Sequence, residues 1–136
     1  MKSISILAIM LLFCGSQSYA KQVDVYRCKL TKTENLISEE MIFIHDAQLN
    51  EYLVEDGVIH FVEGGPISAE VKSDSTKKLV LMWSVLLPDS SGKTARLSYR
   101  LAYFKGNSQV LVSVQAMGYA NQYNGRGTCK KSKANL

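Results

Sequence analysis

His45 and Asp46 stand side by side, and His60 follows among Glu51, Glu55, Asp56 and Glu63. Imidazole and carboxylate groups can ligate a transition metal or share acid and base work, so His45, Asp46 and His60 are the candidate centre of a hydrolase or metal enzyme. Their spacing matches no metal motif, and ordinary strand positions account for them as well. The serines sit in no Gly-x-Ser-x-Gly elbow, the turn that exposes a nucleophilic hydroxyl. Asn124-Gly125-Arg126-Gly127 lacks the Lys-Ser/Thr pair and the strand-to-helix setting with which a phosphate loop holds phosphate and Mg²⁺. No cofactor or metal is expected.

The stretch 117–129 concentrates a different chemistry. Tyr119, Asn121, Tyr123 and Arg126 lie among glycines that let the backbone turn sharply, and Cys129 tethers the far end. Loops held on a rigid scaffold carry binding more often than strands do, and Tyr and Arg are favoured where binding energy concentrates. These four residues are the candidate binding site for a protein or a glycan. The competing reading has the tyrosines capping an open barrel end while Arg126 pairs with an acid from the region 34–74.

The elements that must position such a site begin after a leader. Lys2, the apolar run 4–13 and the small residues of Ser18-Tyr19-Ala20 have the plan of a secretory signal peptide spanning 1–20, followed by a single domain over 21–136. The run is too short for a bilayer-spanning helix of ~20 residues, so no integral membrane protein is expected. Cys14 follows bulky Phe13, where a lipid-attachment signal has a small residue, so cleavage after Ala20 is the expected processing and Cys14 leaves with the leader. The destination is periplasmic or secreted. Cys28 and Cys129 remain, and an even count in an oxidising compartment reads as a disulfide joining the two ends of the domain. A metal site or reactive thiol pair would need His or Cys at ligand spacing beside them, which neither has.

The formal charge of +4 drops by one with the leader, too small to imply nucleic acid or an anionic membrane as partner. Its distribution is more telling. Acids crowd between Glu34 and Asp74, where Lys72 is the one base, whereas from residue 75 onward Asp89 is the one acid. Cross-strand ion pairs would follow if acidic strands lie beside basic ones. Otherwise a basic side, with Lys130, Lys131 and Lys133, would face an acidic partner.

Short alternating segments bounded by turn residues recur, and no window carries apolar residues at helical spacing for three turns. The chain is therefore all-β, a single small antiparallel barrel or sandwich of about seven to eight strands. Strands are expected near 23–30, 40–46, 50–55, 58–63, 66–73, 77–87, 94–105 and 108–116. Asp56-Gly57 suits a type I′ hairpin turn, which would pair Val54 with Ile59 and Tyr52 with Phe61. Gly106-Asn107 suits another tight turn, pairing Leu97, Tyr99, Leu101 and Tyr103 with Ala116, Val114, Val112 and Val110, and placing Arg100 and Ser113 on the opposite face. In the segment 79–87 both faces are mostly apolar, which predicts a central strand covered on both sides.

Tyr26-Arg27-Cys28, Ile44-His45-Asp46, Gly65-Pro66-Ile67, Tyr99-Arg100 with Tyr103, Val112-Ser113-Val114-Gln115, Gly118-Tyr119, Asn121, Gly125 and Gly127-Thr128-Cys129 together resemble the pattern of a group of small exported bacterial proteins of unknown function. That resemblance spans nearly the whole domain and implies no activity. In plan, with a Tyr-x-Cys near the start and a cysteine near the end of a small β domain, the chain is also similar to bacterial inhibitors of C-type lysozyme. Those use a Ser and Tyr pair in a Ser-x-Ser-Gly-x-x-Tyr-like segment. Ser90-Ser91-Gly92-Lys93-Thr94-Ala95 has no tyrosine at the matching place, so the similarity is one of fold plan. The functional expectation is a non-catalytic binding protein of the bacterial envelope, with a hydrolase or a lysozyme-inhibitor-like protein as alternatives.

Overall fold

A computed structural model describes residues 21–136, so the leader and Cys14 lie outside the described residues. The segments that alternate in the sequence form β1(Gln22–Thr33), β2(Glu40–Asp46), β3(Glu51–Asp56), β4(Ile67–Asp74), β5(Lys78–Pro88), β6(Thr94–Phe104), β7(Gln109–Ala116) and β8(Gln122–Asn135), with a short helix α1(Gly57–Glu63) between β3 and β4. Every strand pairs antiparallel with its sequence neighbour, and β8 returns to β1, closing a barrel. Closure removes the free edges through which strands aggregate.

The β6–β7 hairpin has the register that its alternation demands, with Leu97, Tyr99, Leu101 and Tyr103 opposite Ala116, Val114, Val112 and Val110. An eight-stranded barrel is just wide enough for side chains to fill. Here Phe43, Leu79, Leu81, Tyr99, Leu101, Val110 and Val112 do so, all essentially removed from solvent. Tyr26 stacks on Phe43 with ring centroids 4.3 Å apart, and Trp83 stacks on Tyr99 at 5.4 Å. On β5 the inward residues are buried as expected. The outward face is covered at Val80 but open at Ser84 and Leu86, because one sheet closed on itself brings no second layer.

Two segments depart from the sequence expectation. Neither Asp56 nor Gly57 takes the positive φ that a type I′ turn needs. Asp56 is extended, and its Oδ1 accepts the Ile59 N–H at 2.8 Å, making it the N-cap of α1. Gly64 ends the helix at φ 78°, donating its N–H to the His60 carbonyl oxygen at 2.9 Å. The strand expected near 58–63 is therefore a helix, which drives Ile59 into the barrel end and leaves Phe61 76% exposed. The partners of Val54 are Phe43 and Ile67 rather than Ile59, and those of Tyr52 are His45 and Ala69 rather than Phe61.

The second departure is β8, read from the sequence as a connection up to Cys129. Its inward positions include Gly125, Gly127 and Cys129, so apolar alternation is missing although backbone pairing continues on both sides. Gly127 is obligatory: a Cβ there would come within 1.9 Å of the Lys29 carbonyl oxygen, beside the register shift of β1 between Leu30 and Lys32. Cys28 and Cys129 face each other across this seam and form the disulfide. A bond closing so long a loop stabilises by up to ~4.7 kcal/mol on the chain-entropy account. Beyond it the seam runs on to Lys21 and Leu136, where Lys21 N–H donates to Leu136 O at 3.2 Å and Leu136 N–H to Lys21 O at 2.7 Å.

Connections 47–50, 75–77 and 105–108 gather at one barrel end with residues 21 and 136; connections 34–39, 57–66, 89–93 and 117–121 gather at the other. Among the described residues no helix is long and apolar enough to cross a membrane.

Candidate functional site

Side chains at successive positions of β6, β7 and β8 alternate across the wall, so the residues opposite the buried Leu101, Val112 and Gly125 face outward. Two outward rows result: Arg100, Ser113 and Asn124 stand abreast, and Ala102, Leu111 and Arg126 stand abreast in the next row. Ala102 is small and Leu111 is half-exposed, so the wall is hollowed between the longer side chains around them. Thr31, Thr33 and Glu34 at the end of β1 form the far bank, and Gln122 continues the lining of β8. The hollow measures about 840 Å³. A second hollow, lined by Glu34, Asn35, Ala120, Asn121, Gln122 and Tyr123, adjoins it through Glu34 and Gln122, so the pair makes a trough that follows β8 to the barrel rim.

The bank is held from two directions. Glu34 accepts the Asn124 N–H on Oε2 at 2.6 Å and donates its own N–H to the Asn124 carbonyl oxygen at 3.2 Å. From inside the barrel the Tyr99 hydroxyl donates to the Leu36 carbonyl oxygen at 2.7 Å. Burial, with the Asp56 carboxylate nearby, pushes the Tyr99 phenol well above its ordinary value, which keeps it a proton donor. Leu36 sits at φ 70°, a conformation costing of order 1 kcal/mol or more for a non-glycine residue. Ile37 is buried beside it. The connection 34–39 is thus clamped to the core in a conformation it would not choose alone.

Charge on the trough is uneven. Among the described residues the guanidinium groups of Arg100 and Arg126 have no ion-pair partner. The one ion pair joining the acidic stretch 34–74 to the basic stretch after residue 75 is Asp74 with Lys105 at 2.6 Å, so cross-strand pairing leaves most of the charge separation unneutralised. In space β2, β3 and β4 lie together, as do β5 to β8, and the trough is on the basic side.

The four residues singled out from the sequence fall in different places. Arg126 lines the larger hollow, Asn121 and Tyr123 line the smaller one, and Tyr119 stands 65% exposed on the 117–121 turn. Tyr123 is half-buried and packs against the core, on the opposite face of β8 from Arg126. Arg100, Ser113, Asn124, Gln122 and Glu34 were not singled out. Arg100 and Ser113 carried a signal, since the hairpin register already turned both outward; what hid their partner row was reading β8 as a connection.

His45, Asp46 and His60 do not come together. His45 is at the short-turn end, stacked on Tyr52 at 4.3 Å, while His60 is on α1 at the other end, mostly exposed beside Glu55. Asp46 is a turn residue: its Oδ1 accepts the N–H groups of Gln48 and Leu49 at 3.1 and 3.3 Å, and its Oδ2 pairs with Lys21. Lys21 and those backbone donors hold the Asp46 carboxyl below its ordinary value. Among the described residues no three His, Cys, Asp or Glu side chains gather as a metal site. Ser91, in the segment compared with the lysozyme inhibitors, donates its hydroxyl and its N–H to Asp89 Oδ1 at 2.7 and 2.9 Å within the 89–93 turn.

Comparison with family models, with curated proteins and with solved structures finds no match to this chain.

Proposed function

We propose that this chain is an exported, non-catalytic binding domain of the bacterial envelope that holds a protein or glycan partner along the trough beside β8. The observation that carries the reading is the pair of unpartnered guanidiniums, Arg100 and Arg126, set among hydroxyl and amide side chains on a wall held by two-sided strand pairing. Strand pairing on both sides fixes the backbone beneath these donors, so binding orders side chains but no loop. Export is supported by the leader-like sequence at 1–20 and by a disulfide of a kind that persists in oxidising compartments.

Capture from an envelope extract tests the reading. The exported chain should retain a partner that the double variant Asn121→Ala, Arg126→Ala loses, with the circular dichroism of both proteins alike. Both positions are exposed, so loss of the fold would not explain the result. Undiminished capture by the double variant would overturn the site.

A further inference from the structure

We infer that the occupant of the trough is an oligosaccharide carrying a carboxylate, an inference that rests on the binding reading above and names its ligand class. Strand addition, the commonest way a β wall takes a peptide, needs a free edge. β6, β7 and β8 are each paired on both sides, so recognition on this wall must come from side chains.

Those side chains are of one kind. Thr31, Ser113, Gln122 and Asn124 both donate and accept hydrogen bonds, as sugar hydroxyls do. A peptide partner would call for pockets that take aromatic or aliphatic anchors. The larger hollow offers Ala102 and Leu111 as a shallow apolar floor, with no aromatic side chain along its lining. That floor suits the C–H face of a sugar ring.

The charges set the polarity of the ligand. Arg100 and Arg126 lie diagonally across β7, about 12 Å apart at the backbone from ~4.8 Å per strand and ~3.3 Å per residue. Both long side chains can therefore reach an acidic group placed over Leu111. The planar guanidinium fork matches a carboxylate with two parallel hydrogen bonds. Glu34 stands on the opposite bank with Oε2 already engaged by the Asn124 N–H, leaving Oε1 to accept from a hydroxyl. An acidic group belongs at the β6–β7 side of the trough and neutral hydroxyls at the β1 side.

The test titrates the exported chain with oligosaccharides of galacturonate, of hyaluronan and of muramate-bearing glycan. Each is run beside its methyl-esterified form, and tetraglutamate is the acidic peptide control. At least one acidic saccharide should bind. Its ester should bind at least tenfold more weakly, and tetraglutamate should bind more weakly still. Amide resonances of Ser113, Asn124 and Arg126 should shift, and affinity should fall as salt is raised. Arg126→Gln and Arg100→Gln should each lower affinity at least tenfold without changing the melting temperature. An ester equal to its acid, tetraglutamate equal to the saccharide, or no effect of Arg126→Gln would overturn the assignment. If every saccharide fails while envelope capture still depends on Arg126, the ligand class falls and the binding reading stands. If capture is also independent of Arg126, both fall.

Discussion

At one end of the barrel the chain reverses in the brief turns 47–50, 75–77 and 105–108, whereas at the other it uses the longer connections 34–39, 57–66, 89–93 and 117–121. The brief turns are bonded within themselves and to one another, Lys105 N–H donating to Lys77 O at 2.9 Å. Asp46 accepts from its own turn, Ser75 N–H donates to Lys78 O at 2.9 Å, and Gln109 N–H donates to Asn107 Oδ1 at 3.0 Å. Two of the longer connections are fastened to the core instead, 34–39 by the Tyr99 hydroxyl and by buried Ile37, and 57–66 by buried Ile59. A short, tightly hydrogen-bonded turn sets register. A loop latched by a core side chain shares the state of the core, and it is such a loop, not a turn, that banks the trough.

The largest expected effect tests what the two ends share. Leu101 is fully buried in the wall between them, so Leu101→Ala should cost about 2 to 5 kcal/mol by leaving a cavity. Ser113→Ala, on the outward row, should cost within about 0.5 kcal/mol. Denaturant midpoints give both values, and equal losses would contradict the observed pairing of Leu101 with Val112.

A smaller effect should separate the ends. Asp56→Ala removes the N-cap of α1 and should cost about 1 kcal/mol, with faster amide exchange over 57–64 and none of it at 47–50 or 105–108. Asp56→Asn keeps an acceptor and should cost less. Burial raises the Asp56 carboxyl above its ordinary 3.8, outweighing the helix N–H donors that lower it. With a raised folded value, its contribution to stability is fully present below about pH 3.8 and is lost as pH rises through the folded value. The wild-type chain should therefore gain on Asp56→Asn as pH falls. A gap between the two that widens in the opposite direction would mean the carboxylate is stabilised rather than penalised by its site.

An effect of comparable size but narrower reach sharpens the comparison most. Tyr99→Phe removes one hydroxyl from an otherwise unchanged core and should cost about 0.5 to 1.5 kcal/mol. Hydrogen exchange should quicken in 34–39 alone. Uniform quickening at both ends would show that the latch is part of the general core rather than a fastening for one loop.

Most of the barrel was legible because most strands bury one face. The β6–β7 register followed from two strands whose inward positions are all apolar, with Ala102, Phe104 and Leu111 the exceptions on the outward face, and the disulfide from an even pair of cysteines after a leader-like start. What escaped had weaker signals. α1 spans only two turns and buries only Ile59, below the three turns of periodicity used to recognise a helix, while its Asp56 and Gly57 also satisfy the composition of a hairpin turn. β8 is ordered by pairing on both sides and a covalent bond rather than by apolar burial. With β8 taken for a loop, Tyr119, Asn121, Tyr123 and Arg126 looked like one surface. Strand geometry divides them between faces, and it brings in Arg100 and Glu34 from distant parts of the chain.

The β1–β8 seam also decides how the molecule bears a load. Lys21 and Leu136 lie side by side at the short-turn end, so tension applied across them peels the last strand from the first, one cross-strand pair at a time. The peeling front passes Val23 with Ala134, Val25 with Ser132 and Arg27 with Lys130, then meets Cys28 with Cys129. There the pull runs through the sulfur bridge, and the remaining strands are out of the line of force. The trough beside β8 lies wholly beyond that stop, so a pull on Lys21 and Leu136 leaves it closed.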